Sequence, residues 1–199
     1  EAQRKGFAEA DPTLDVSGAD AGQKLAILAS LAFGAQFDES DVGLDGIAGL
    51  ALDDIQFGAE LGYDVKLLAI AERQAQTGAV SARVQPCFIS FDDLLSSVTG
   101  PYNALVVDGH AVGQSILYGE GAGQMPTASA VVSDLLNVAS GWYPKAFQSM
   151  HLTPDRQPKA QVLAPDELRS RYYVRINALD VPGTMAQVTA ALGEQGISL

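Results

Sequence analysis

Between Asp53 and Ala71 the chain reads DDIQFGAELGYDVKLLAIA, and inside this stretch a helical pattern gives way directly to a strand pattern. Asp53 to Leu61 reads as a short helix opened by an N-capping aspartate and closed by Gly62. Val65 to Ala71, apolar and in part β-branched, reads as a strand. The same signals recur on both sides. Downstream, Val80 to Pro86, Asn103 to Val107 and Ala111 to Tyr118 are further strand-like runs, and together they suggest one sheet. Asp108-Gly109 is a type I′ hairpin signal, which makes the last two runs antiparallel neighbours. Asp92 to Val98 reads as another short helix, and Thr127 to Ala139 as a longer one opened by Pro126. Upstream, Ala19 to Phe33 is rich in Ala and Leu; Ser17 or Asp15 can cap its start, and Gly34 suits the left-handed residue at its end. The expected fold class is α+β, a mixed β-sheet covered by helices.

Past this region, Trp142 to Arg169 carries four prolines without sustained periodicity, the composition of a linker. Tyr172 to Ala178 then alternates as a strand, Asp180-Val181-Pro182-Gly183 makes a turn, and Thr184 to Leu192 reads as an amphipathic helix. The expected organisation is one α+β domain over residues 1–141, a linker over 142–170, and the opening of a second module over 171–199.

Composition narrows the function classes. The 199 residues are 47% hydrophobic and 18% charged, as in a folded globular protein. The formal charge of -12 disfavours a phosphate-backbone partner, which clustered Lys and Arg would serve, so no nucleic acid is expected. The longest apolar run, Leu25 to Phe33, is about half the roughly 20 residues that cross a bilayer. With no signal-peptide core at the start and a single cysteine, Cys87, the expectation is a cytoplasmic protein without a membrane span.

The chemistry concentrates near the start. EADPTLDVSGADAGQK, Glu9 to Lys24, sets Glu9, Asp11, Asp15 and Asp20 ahead of a lone lysine. Asp20 and Lys24 lie four apart in the helix and so meet on one face. Spacing alone leaves two readings open. One is an ordinary surface pair worth a few tenths of a kcal/mol; the other is a catalytic pair. Asp11, beside Pro12, reads as a turn or cap residue. A second feature is Gly119-Glu120-Gly121-Ala122-Gly123, glycine-rich and set before a helix. It could cradle a phosphate, but it lacks the GxGxxG spacing of a self-contained Rossmann domain, and a tight turn explains it equally well. Cys87, after Pro86 in a strand, reads as a buried inert thiol. His110 and His151 join no metal-binding set, so no metal site is expected.

AEADPTLDVSGADAGQKLAILASLAFG closely resembles the stretch that characterises homoserine dehydrogenases. The resemblance continues in order through GIAGLALDDIQFGAELGYDVKLLA, Pro101-Tyr102-Asn103-Ala104 and YGEGAGQMPTASAVVSDL, and covers residues 1 to about 140. It implies an enzyme interconverting L-homoserine and L-aspartate 4-semialdehyde with NAD or NADP, on the route to threonine, methionine and isoleucine. Carried over by position, Glu9 and Asp15 bind the substrate, Lys24 is the catalytic lysine and Asp20 holds its head in place. Glu120, Gly121, Ala122 and Gly123 line the cofactor cleft. The roles make physical sense: a carboxylate holds the substrate ammonium through charge-assisted hydrogen bonds, and an ammonium stabilises the oxyanion formed on hydride addition and supplies its proton.

The Rossmann domain that such enzymes carry ahead of this region is absent, so little or no turnover is expected from this chain alone. The closing YYVRINALDVPGTMAQVTAALGEQGISL resembles the opening of an ACT domain, an amino-acid-binding βαββαβ module, and implies a threonine effector. Sheet-mediated homodimerisation is implied as well. Two other assignments compete: an aspartate-semialdehyde dehydrogenase working through Cys87, and a non-catalytic ACT-type amino-acid sensor.

Overall fold

In the computed structural model, residues 11–153, 156–164 and 167–197 are described. The chain divides into two compact units, Glu1–Arg169 and Ser170–Leu199.

The first unit is built around one helix and one strand. Helix α2, Ala19–Phe33, follows a short helix α1, Thr13–Ser17. Strand β1 is Gly43–Leu44, helix α3 Leu52–Glu60, strand β2 Tyr63–Arg73 and strand β3 Val80–Ser90. Strand β3 is central, parallel to β1 and antiparallel to β2, which makes the sheet mixed. Helix α2 buries Gly22, Leu25, Ala26 and Ala29, a spacing of three and four that forms one stripe. Against it pack Val80, Ala82 and Val84, alternate residues and so one face of β3. Phe37 and Val42 complete the core.

Pairing partners depart from the sequence reading. Strands β4, Tyr102–Gly109, and β5, Gly113–Glu120, pair only with each other, so the strands form two sheets and not one. They are antiparallel, as the hairpin signal implies, but Asp108 and Gly109 are the last residues of β4. The loop is His110 to Val112, followed by Gly113 at φ 72°. Local turn chemistry located the hairpin and missed its tip by two residues.

Boundaries also shift. Helix α3 starts one residue before Asp53: Ala51 caps it, and the Asp54 carboxylate accepts the Ala51 N–H at 3.2 Å. The run from Asp92 to Val98 tightens into a 3₁₀ turn over Leu94–Ser97, capped by the Asp93 carboxylate, which accepts the Leu95 N–H. Helix α4, Gln124–Ala139, begins three residues before Thr127, with Pro126 in its first turn, where a missing N–H costs nothing.

The segment read as a linker is largely anchored to the first unit. It holds helix α5, Trp142–Ser149, and a strap that bridges Lys159 to Gln36 and Val162 to Val80. Gln157 donates to the Ser30 carbonyl, and Lys159 pairs with Asp38. Single bridges have no periodicity, so composition alone could not reveal them.

In the second unit, helix α6, Thr184–Glu194, follows the expected turn, with Gly183 as its cap at φ 94°. Tyr172 to Ala178 is not a strand. An alternating run needs a neighbouring strand to form a ladder, and among the described residues it has none. No helix among the described residues is long and apolar enough to cross a membrane.

Candidate active site

The short helix α1 and the fifteen-residue helix α2 meet at Gly18 and carry Asp15, Asp20 and Lys24. Asp11 lies ahead of α1, whose cap position is Pro12: its carboxylate accepts the N–H and the hydroxyl of Thr13, at 3.0 and 2.5 Å, which makes it a turn residue. The Thr13 hydroxyl and amide hold that carboxyl below its ordinary range. Asp15 lies in α1 and is exposed. Among the described residues its carboxylate has no hydrogen-bond or ion-pair partner, and only its backbone oxygen is engaged, by the N–H of Gly18.

Gly18 is in the left-handed region, φ 79°, and serves both as the end of α1 and as the cap of α2. Ser17 adds side-chain hydrogen bonds at that joint, its hydroxyl donating to the Leu14 carbonyl at 3.2 Å and its oxygen accepting the Ala19 N–H at 3.3 Å.

On α2 the Lys24 ammonium donates to the Asp20 carboxylate at 2.5 Å. Both heads face outward, with side-chain exposures of 68% and 44%, while the opposite face of the helix is the core. A rigid element therefore presents a fixed charge pair to solvent. Glu9 lies outside the described residues.

The glycine-rich loop closes the hairpin and opens α4. Gly121 donates its N–H to the Pro101 carbonyl at 3.1 Å, and a Cβ there would fall 1.5 Å from the Asn103 amide nitrogen. With glycine at this position the Asn103 amide lies directly against the backbone, and a side chain there would have to displace it. Gly123, at φ 122°, caps α4 without a side-chain hydrogen bond. Among the described residues no side chain caps the amides of Gln124 and Met125 at the start of this sixteen-residue helix, which suits an anionic group. Glu120 ends β5 opposite Tyr102.

Other candidates fall away. Burial pushes the Cys87 thiol up, outweighing Gln85 and Arg83, which pull the other way. A cleft of about 440 Å³, lined by Gln74, Thr77, Gln161, Glu167 and Arg169 among others, contains none of the candidate residues. Among the described residues no group of three or more His, Cys, Asp or Glu is placed to hold a metal.

A family model of homoserine dehydrogenase matches residues 1–136. The chain belongs to the homoserine dehydrogenase family. A homoserine dehydrogenase from Neisseria gonorrhoeae is 42% identical across the whole of this chain, which covers 46% of that protein. The crystal structure of a homoserine dehydrogenase from Thiobacillus denitrificans superposes with a TM-score of 0.85 at 39% identity, over 97% of this chain and 45% of that one. A hyperthermophilic archaeal homoserine dehydrogenase, solved in complex with NADPH, matches over 68% of this chain and 37% of its own, at 30% identity and a TM-score of 0.51. The chain thus spans about half the length of the homoserine dehydrogenases it matches.

Proposed function

We propose that this chain is the substrate and proton side of a cytoplasmic homoserine dehydrogenase, interconverting L-homoserine and L-aspartate 4-semialdehyde with NAD or NADP in threonine, methionine and isoleucine biosynthesis. The observation that carries the reading is the Lys24 ammonium, fixed at 2.5 Å by Asp20 on the outer face of a core helix, beside a helix whose Asp15 carboxylate is unpaired among the described residues.

Asp15, together with Glu9, holds the substrate ammonium. Lys24 Nζ faces the carbonyl oxygen, stabilises the charge that develops there and delivers the proton during reduction. Asp20 keeps the lysine head from swinging on its four-carbon stem. The nicotinamide supplies or accepts the hydride. Gly121, Ala122 and Gly123, with Glu120 beside them, line its cleft, and the glycine backbone at Gly121 and Gly123 and the start of α4, uncapped among the described residues, fit that role.

A catalytic lysine 68% exposed is an unfinished site, since charge stabilisation is strongest where water is excluded. The remaining half of the enzyme supplies that cover, and the chain alone has little turnover. Exposed apolar residues on β4 and β5 (Leu105, Val107, Leu117) and on α4 (Val131, Leu135, Leu136) suit burial against that half and against a second copy in a homodimer. We assign residues 1–141 to the substrate domain, 142–170 to the connection and 171–199 to part of an ACT module that takes threonine as effector.

The test is homoserine oxidation by the full-length enzyme with NAD and with NADP, alongside Lys24→Ala. The substitution should lower kcat by about 10²- to 10⁴-fold. Near-normal kcat would show that Lys24 is not the proton donor.

A further inference from the structure

Helices α1 and α2 are held at their joint by a loop and a strand that carry none of the site residues. Gly46 lies flat against the end of α1: a Cβ there would fall 2.2 Å from the Val16 carbonyl oxygen and 2.8 Å from the Ser17 Cα. Ile47 donates its N–H to that same carbonyl at 2.9 Å. One residue before Gly46, the Asp45 N–H donates to the Val84 carbonyl at 2.8 Å, which ties the loop to the core strand β3. Val84 in turn reaches the joint itself, since a Cβ on Gly18 would meet its Cγ1 at 2.9 Å. On the next turn of α2, a Cβ on Gly22 would meet Leu44 Cδ2 at 2.7 Å. At Gly18 and Gly22 the near atoms belong to the Val84 and Leu44 side chains, whereas at Gly46 they belong to the backbone of α1, so the loop and the helix end approach there more closely than a side chain permits.

From this seat we infer that Gly46 and the Ile47 N–H are positioning groups: they fix the angle of α1 to α2 and thereby the place of Asp15 relative to the Lys24–Asp20 pair. The inference rests on the homoserine reading of Asp15 and Lys24 given above. Lys24 and Asp20 share one helix, so their pairing is independent of the joint. Asp15 is across the joint and depends on it. A shift of α1 consequently weakens substrate binding and leaves proton delivery intact. Gly46→Ala should produce such a shift, because the obstructing atoms belong to the backbone and cannot rotate away. The helix end must retreat on the order of 1 Å, a displacement that can cost up to about a hundredfold in activity.

The test uses the full-length enzyme and compares Gly46→Ala with wild type, Asp15→Asn and Gly34→Ala. Gly34 ends α2 at its other end, at φ 64° with nothing within 4 Å of an added Cβ, so Gly34→Ala controls for destabilisation without moving α1. Homoserine KM, kcat, the pH profile of kcat and the melting temperature are measured, with homoserine affinity checked by calorimetry. Gly46→Ala should raise KM and Kd about tenfold or more, hold kcat within about twofold and leave the pH profile in place. Gly34→Ala should lower the melting temperature at unchanged KM.

If Asp15→Asn raises KM and Gly46→Ala does not, the positioning role is wrong while the homoserine reading stands. If Asp15→Asn leaves KM unchanged, the reading of Asp15 is wrong and the positioning role falls with it. Should Gly46→Ala yield no folded protein, Val84→Ala removes both methyls of Val84, one of them beside Gly18, without adding a clash. In that variant KM should rise severalfold at constant kcat, and an unchanged KM overturns the inference.

Discussion

A double-mutant cycle between Gly18 and Val84 tests the packing that places the candidate site. Val84 is 1% exposed, so Val84→Ala removes two fully buried carbons at roughly 0.8 kcal/mol each and leaves part of a cavity, for a loss of about 2–3 kcal/mol. Gly18→Ala carries two costs. Its φ of 79° puts an alanine in the left-handed region at about 1–2 kcal/mol. The new methyl also meets Val84 Cγ1 at 2.9 Å, an overpacking of about 1–3 kcal/mol. In the Val84→Ala background that methyl is gone and only the backbone cost remains. The double variant should therefore be more stable than the sum of the single losses predicts, by at least about 1 kcal/mol. The assay is urea unfolding of the four proteins followed by far-UV circular dichroism, with m-values compared to exclude changes in the unfolded chain. Additivity within about 0.5 kcal/mol would mean that Gly18 does not rest on Val84 and that the joint is held another way.

Two further outcomes follow from the side chains around β2 and β3. The Lys66 ammonium, 2.8 Å away, holds the Asp64 carboxyl below its ordinary value of 3.8. Its contribution is thus present above that pH and is lost as pH falls through the lowered folded value. With Asp64 39% exposed, the effect is at most about 0.5 kcal/mol, and Asp64→Asn should lower stability slightly at neutral pH while reducing the loss on acidification. Identical acid-unfolding curves for the two proteins would contradict this. Because burial raises the Cys87 thiol, Cys87 should react slowly with iodoacetamide at neutral pH, and Cys87→Ala in the full-length enzyme should retain homoserine oxidation; a dead variant that still folds would restore a cysteine mechanism.

What could be read from the sequence follows from how local each feature is. Helix α2 is legible to the residue because its buried stripe and the left-handed Gly34 are all encoded within one segment. The Asp20–Lys24 contact is legible for the same reason, since spacing of four in a helix dictates it. Strand pairing is a tertiary choice, so four strand-like runs could not show that β4 and β5 pair apart from β2 and β3. The strap at Lys159 and Val162 contributes single bridges, which leave no pattern in composition. Nothing local distinguishes Gly46 from the other glycines either; its φ is unexceptional, and its requirement arises only from the Val16 carbonyl brought against it by the fold.

On the proposed reading of Lys24 and Asp20, stability and chemistry separate on this helix. Two exposed side chains spaced by four contribute about 0.3–0.5 kcal/mol, which a single additional buried methylene would exceed. The pair therefore has little part in holding α2 down. Gly22, Leu25, Ala26 and Ala29 do that on the opposite face, and Gly18 and Gly46 set the helix against its neighbours. Because the anchoring is complete without them, Asp20 and Lys24 are free to face outward with their geometry set by the helix and not by loop conformation. That is the arrangement the proposed proton donor would require: a short, fixed reach from a rigid element, whose energetic value would appear only when surrounding water is removed. On this view, substitutions at Asp20 or Lys24 leave the melting temperature nearly unchanged, whereas substitutions at Gly18, Gly46 or Val84 change the placement of Asp15.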